Sequence, residues 1–134
     1  MAEPIPVDFL EKRRLLHGKG ADRRRLAVAA SLVDAGRLAE SLEYLERNRD
    51  EAILARVRGE AVAAGDAFTL NRAAQIQKAP PAPEEWRELA RRAEAKERWF
   101  DCVNALEKAG DAEKAEEVRA SRCPGFRPFR PAGK

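Results

Sequence analysis

One histidine, two cysteines, one tyrosine and one methionine in 134 residues leave little from which to build a catalytic centre. His17 stands alone, so no Ser/His/Asp assembly is evident, and one histidine with two distant cysteines does not make a zinc site. Cys102 and Cys123 are too few for a disulfide framework. The opening Met1-Ala2-Glu3-Pro4 has neither the basic region nor the hydrophobic run of a secretory signal, so the thiols are expected reduced and the protein cytoplasmic. Apolar runs are only a few residues long, which excludes a membrane-spanning helix from the expectation. Gly18-Lys19-Gly20 lacks the preceding strand and the Gly-Lys-Ser/Thr ending of a phosphate loop and reads as a connector between helices. The acids are many, but Glu40, Glu43, Glu46 and Glu107 fall on polar positions of a helical pattern and read as solvated faces. No enzyme, metal or cofactor is expected from this inventory.

Charged residues make up 37% and aromatics 6% of a chain long enough for one domain, a balance that suits small helices with narrow apolar stripes. Punctuation for such helices recurs at short intervals. Asp8-x-x-Glu11 predicts a capping box opening a first helix over 8–17, and Gly18 a left-handed stop beside His17, which is expected to face the terminal carbonyls. Asp22 is expected to cap a second helix with Leu26, Ala29, Ala30 and Val33 inward, ended by Gly36. Leu38, Leu42 and Leu45 make the stripe of a third, and Asp50 opens a fourth through Ile53, Val57 and Ala61 to Gly65. Asp66 caps a fifth, with Leu70, Ala73, Ala74 and Gln77 inward, before the proline-rich stretch 79–83 forbids continuation and Pro83 starts a sixth. Trp86, Leu89, Ala90 and Ala93 form one stripe; Trp99, Cys102, Val103 and Leu106 form another. At 100° per residue one straight helix cannot point both tryptophans into one core, so 83–109 is either two helices turning near Lys96 or one kinked helix. Both tryptophans are expected in the core. Gly110-Asp111 ends one helix and caps the last, which fades near Cys123-Pro124-Gly125.

Such even spacing predicts an all-α, right-handed stack of about seven to eight short antiparallel helices, each hairpin burying its apolar face against the next. A shift of 61 residues aligns Leu38 with Trp99, Ser41 with Cys102, Leu45 with Leu106, Asp50 with Asp111 and Val57 with Val118. Trp86-x-x-Leu89-Ala90-x-x-Ala93 followed by Cys102-x-x-x-Leu106 resembles the tetratricopeptide repeat signature, and the same shift puts Arg25, Val28, Ala29, Leu32, Ser41 and Leu45 on those positions. Arg25 stands where the family's first tryptophan belongs. The resemblance, to this family or to a related helical-hairpin solenoid, covers roughly 22–120. It implies a scaffold that holds a partner's peptide or helix on its concave face, with no chemistry of its own.

The chain divides into a basic helix and connector (1–21), the hairpin-repeat region (22–122) and a basic Pro/Phe/Arg tail (123–134). Net charge is +2 over 1–35, −4 over 36–118 and +5 over 119–134. Lys12, Arg13, Arg14, Lys19, Arg23, Arg24 and Arg25 are candidate nucleic-acid contacts, although no aromatic interleaves that run. In the tail, Phe-Arg-Pro occurs twice, and Phe126 and Phe129 fall three apart on a polyproline-like course, flanked by Arg127 and Arg130. These four and Tyr44, beside its stripe at a groove edge, are the candidate partner contacts; the tail's alternatives are docking on the chain's own acidic middle and a solvated end. The leading expectation is a protein-protein adaptor with a groove formed by helices two, four and six. RNA or other nucleic-acid binding, and a structural or accessory subunit of a larger assembly, are the alternatives.

Overall fold

The computed structural model describes residues 4–18 and 20–123. Those residues form eight helices and no strand: α1 (Phe9–His17), α2 (Asp22–Asp34), α3 (Leu38–Leu45), α4 (Glu51–Ala64), α5 (Ala67–Gln77), α6 (Pro83–Ala95), α7 (Trp99–Ala109) and α8 (Ala112–Arg122). Three aspartates start helices as expected, each carboxylate accepting the N–H three residues on: Asp8 from Glu11 (2.7 Å), Asp50 from Ile53 (2.9 Å) and Asp66 from Thr69 (3.1 Å). Pro83 occupies the first helical position of α6, where its missing N–H costs nothing.

Consecutive helices are joined by tight turns, and several ends share one hydrogen-bond pattern. The N–H of Arg37, Asp66, Arg98 and Asp111 each reaches the carbonyl five residues back, on Leu32, Ala61, Ala93 and Leu106, at 2.8–2.9 Å. The residue before each has positive φ: Gly36, Gly65, Glu97 and Gly110. That reversal at Glu97 makes 83–109 two helices, resolving the kinked-helix alternative.

Consecutive helices pack on one another except α5 and α6, and α2, α4 and α6 also touch in series, as do α1, α3, α5 and α7. Helices α2, α4 and α6 therefore lie in one layer and α1, α3, α5 and α7 in another. Leu15, Val28, Leu32, Leu42, Leu45, Leu54 and Val57 centre one core cluster; Leu70, Trp86, Leu89, Cys102 and Leu106 centre the other. Gly65 permits the close approach of the end of α4 to α6: a Cβ there would lie 2.7 Å from the Ala93 Cα, at φ +70°.

The 61-residue correspondence carries through burial. Arg25, Val28, Ala29, Leu32, Ser41 and Leu45 are all buried, and so are Trp86, Leu89, Ala90, Ala93, Cys102 and Leu106. The second helix's stripe is thus rotated from expectation: Leu26 and Ala30 are only half-buried, while Arg25, Val28 and Leu32 point inward. Ile53 gives way to Leu54 in α4, Gln77 is half-buried, and Trp99 lies half-buried under the Arg122 guanidinium, 4.9 Å from its ring.

Three cap expectations need correction. Ala21, with φ 61°, precedes α2, so Asp22 falls inside the helix and its carboxylate turns to Arg25 (2.8 Å). Gly18 is extended (φ −89°), not left-handed; it is confined by the Arg14 carbonyl, 2.7 Å from where a Cβ would sit. Asp111 makes no side-chain cap bond and is instead 3.4 Å from Arg87.

Candidate functional site

Two surfaces carry the candidates. The first is the N-terminal arginine run, which the fold pulls apart. Arg25, 4% exposed, donates from Nε to the Leu15 carbonyl (2.5 Å), from Nη1 to Asp22 and Asn48, and from Nη2 to the carbonyls of Gly18 (3.1 Å) and Gly20 (3.3 Å). It closes the connector between α1 and α2 and is no nucleic-acid contact, because a guanidinium with its donors spent inside the fold cannot reach a phosphate. Arg24 pairs with Glu11 (2.8 Å) and Lys12 with Glu43 (3.7 Å), both on the surface. Lys19 lies outside the described residues. Arg13, Arg14 and Arg23 remain exposed, with no hydrogen-bond or ion-pair partner among the described residues. His17 does not serve the terminal carbonyls either: Arg47 takes the Leu16 carbonyl, and its Nη2 lies 3.4 Å from His17 Nδ1.

The second surface is an open cleft of about 660 Å³ on the even-helix layer, between α4 and α6. Ala55, Gly59 and Val62 line one side of it, Glu84, Glu85 and Glu88 the other. One bracket holds the two helices in place. Arg58, largely buried, donates to Gln77 Oε1 (2.8 Å), the Ala79 carbonyl (2.8 Å) and Glu85 Oε1 (2.7 Å), tying α4 to the end of α5 and the start of α6. Hydrogen bonds from Arg91 and Arg92 hold the Glu88 carboxyl below the usual carboxylate range, so it is ionised at neutral pH. Gly59 sits in the middle of a 14-residue helix, yet nothing lies within 4 Å of where its Cβ would be. No internal packing requires a glycine there.

Tyr44, expected at a groove edge, is instead 3% exposed. It lines a cavity of about 300 Å³ that the N-terminal segment Pro4–Val7 covers, with Val28, Leu32, Arg37 and Glu40 around it. Ile5 N–H anchors that segment on Ser31 Oγ (3.0 Å). Burial pushes the Tyr44 phenol up from its ordinary value, and the neighbouring Glu43, Glu40 and Glu11 carboxylates add to it. Cys102 and Cys123 are both buried free thiols; burial raises Cys102, with Glu94 adding. The four acids read as solvated faces carry ion pairs: Glu40 with Arg37, Glu43 with Lys12, Glu46 with Arg72 and Glu107 with Arg119. Phe126, Arg127, Phe129 and Arg130 lie outside the described residues. Among the described residues no group of three or more His, Cys, Asp or Glu converges as a metal site, and no helix is long and apolar enough to cross a membrane.

A groove on helices two, four and six was expected, and this cleft lies between the fourth and the sixth, but its lining residues were not singled out from the sequence, because α4 and α6 meet only through the core around Ala61, Leu89 and Ala93 and through the Arg58 bracket. An interior glycine at position 59 was its one local sign. Comparison of the chain with protein-family models, with curated proteins and with solved structures found no match.

Proposed function

We propose that the chain is a non-catalytic protein-protein interaction module, a helical-repeat adaptor or scaffold of the tetratricopeptide-like, right-handed α-solenoid kind, which holds a peptide or helix of a partner in the α4–α6 cleft. The observation that carries this reading is the cleft itself: an open trough of about 660 Å³ with small residues on one wall and carboxylates on the other. A depression this open suits a chain segment better than an enclosed small molecule. The layered packing of helices and the recurrence of hairpin geometry at 61 residues support the repeat reading. Gly59 supports the binding reading, because an unexplained glycine inside a helix weakens it by roughly 1 kcal/mol while allowing a partner's backbone to approach closely.

The test is selection of peptides from a random library on the immobilised full chain, followed by titration against variants. Gly59→Trp fills the cleft from an exposed position and is expected to weaken selected peptides at least tenfold without lowering the melting temperature; Gly59→Ala, whose methyl meets the approaching backbone, is expected to weaken them by a smaller factor. Peptides indifferent to Gly59→Trp contradict the reading.

A further inference from the structure

Almost every arginine among the described residues is committed inside the chain. Arg24, Arg37, Arg49, Arg56 and Arg72 each hold a carboxylate, and others reach a carbonyl or, at Arg122, a ring. Arg13, Arg14 and Arg23 are the exceptions, and all three belong to the α1–α2 hairpin. The hairpin's own packing fixes which way two of them face. Leu15 is buried against the core, so the opposite side of α1 is its outer face, and at 100° per residue Phe9, Leu10, Arg13 and Arg14 fall within that side. Phe9 is 78% exposed and Leu10 71%, the two most exposed large apolar side chains among the described residues. Phe9 stands one turn before Arg13, and Leu10 one turn before Arg14. The aromatic that the cation run itself lacks is thus supplied by the turn of helix that precedes it.

We infer that the outer face of α1 is a contact surface for single-stranded nucleic acid, with Phe9 as the stacking platform for a base and Arg13, Arg14 and Arg23 as phosphate contacts. A flat ring flanked by cations without carboxylate partners is what an unpaired nucleotide needs: a π-face for the base and uncompensated charge for the backbone. Duplex bases are already stacked and offer no free face to one phenyl ring. A lipid surface is less well served, because a nine-residue helix with two apolar side chains buries little area. The surface is distinct from the α4–α6 cleft and does not depend on that reading.

Fluorescence anisotropy of a labelled oligouridine with the full chain tests this. Binding is expected at low salt, with log K falling against log salt at a slope of about −2 for three phosphate contacts. Arg13→Ala and Arg14→Ala are each expected to reduce that slope by about 0.7. Phe9→Ala is expected to weaken binding about tenfold at an unchanged slope, whereas Phe68→Ser, which removes a similarly exposed ring on α5, leaves both unchanged. All four sites are exposed, and the circular dichroism of each variant serves as the folding check. Three results overturn the proposal: no binding at low salt, binding indifferent to Phe9 and to the two arginines, or equal affinity for a duplex, an acidic peptide or phosphatidylserine vesicles.

Discussion

Arg37 and Arg98, 61 residues apart, occupy the same structural position. Each backbone N–H closes a helix end on the carbonyl five residues back, Leu32 and Ala93, both at 2.8 Å. Each Nε reaches the acid three residues on, Glu40 at 2.7 Å and Asp101 at 2.9 Å. The residue before each arginine is left-handed, but one is Gly36 (φ 78°) and the other Glu97 (φ 57°). Two hairpins therefore share one turn, built once with the residue that suits it and once without. Glu97→Gly is expected to stabilise the chain by about 0.5–1 kcal/mol and Gly36→Ala to destabilise it by about 1 kcal/mol. Urea midpoints of the two variants check this, and a fall with Glu97→Gly would show that the turn carries no strain.

Arg25 fills with a hydrogen-bonded cation the place that Trp86 fills with an indole, both being 4% exposed. Removing the guanidinium leaves the buried Leu15 carbonyl and the Asn48 side chain without their donor. Arg25→Leu is expected to cost about 2–3 kcal/mol in urea unfolding. Arg25→Lys should recover less than half of that, since one ammonium cannot reproduce the fork. Full stability in Arg25→Leu would mean that the network contributes nothing.

Leu42 and Leu106 lie in separate core clusters, each with almost no exposed surface. Leu42→Asp and Leu106→Asp each place a carboxylate in an apolar interface, and each is expected to lower stability by several kcal/mol. Differential scanning calorimetry reads the effect, and an unchanged melting temperature for either would show that its helix does not pack as described.

Alkaline pH provides a further check. Folding raises both Cys102, above an ordinary 9.0, and Tyr44, above an ordinary 10.0, chiefly through burial. Both groups are neutral when protonated, so the fold favours the protonated form. Their contribution is fully present below the unfolded values and is lost as pH rises through the folded ones. Melting temperature is therefore expected to decline above about pH 9 on account of these two groups. The double variant Cys102→Ala, Tyr44→Phe should flatten the decline; an equally steep one would place its cause elsewhere.

Helix starts were legible at Asp8, Asp50, Asp66 and Pro83, because the cap is a local interaction, whereas Asp22 and Asp111 stand at boundaries without capping them. The break near Lys96 was legible from the angle between the two tryptophans. The stripe of α2 was not. Reading apolar residues alone placed Leu26 inward, whereas the buried place belongs to a cation satisfied by the connector's carbonyls and by Asn48, 23 residues away. Burial took Arg25 out of the arginine cluster, surface ion pairs engage Lys12 and Arg24, and Arg13, Arg14 and Arg23 stay open, with Lys19 outside the described residues. A groove on helices two, four and six was expected from the repeat, but the residues that line the α4–α6 cleft needed tertiary information, since Arg58 and Glu85 are 27 residues apart.

Site-specific photocrosslinking is the most direct test of the central claim, that the even-helix layer holds a partner. Benzoylphenylalanine at Ala55, in the cleft, and at Asn104, exposed on α7 in the other layer, places one probe on each side of the molecule. With a peptide selected on the parent chain, the account predicts crosslinking at 55, none at 104, and loss of the product at 55 when Gly59→Trp is added. Crosslinking at 104 that equals or exceeds that at 55, or a product at 55 that survives Gly59→Trp, would contradict it.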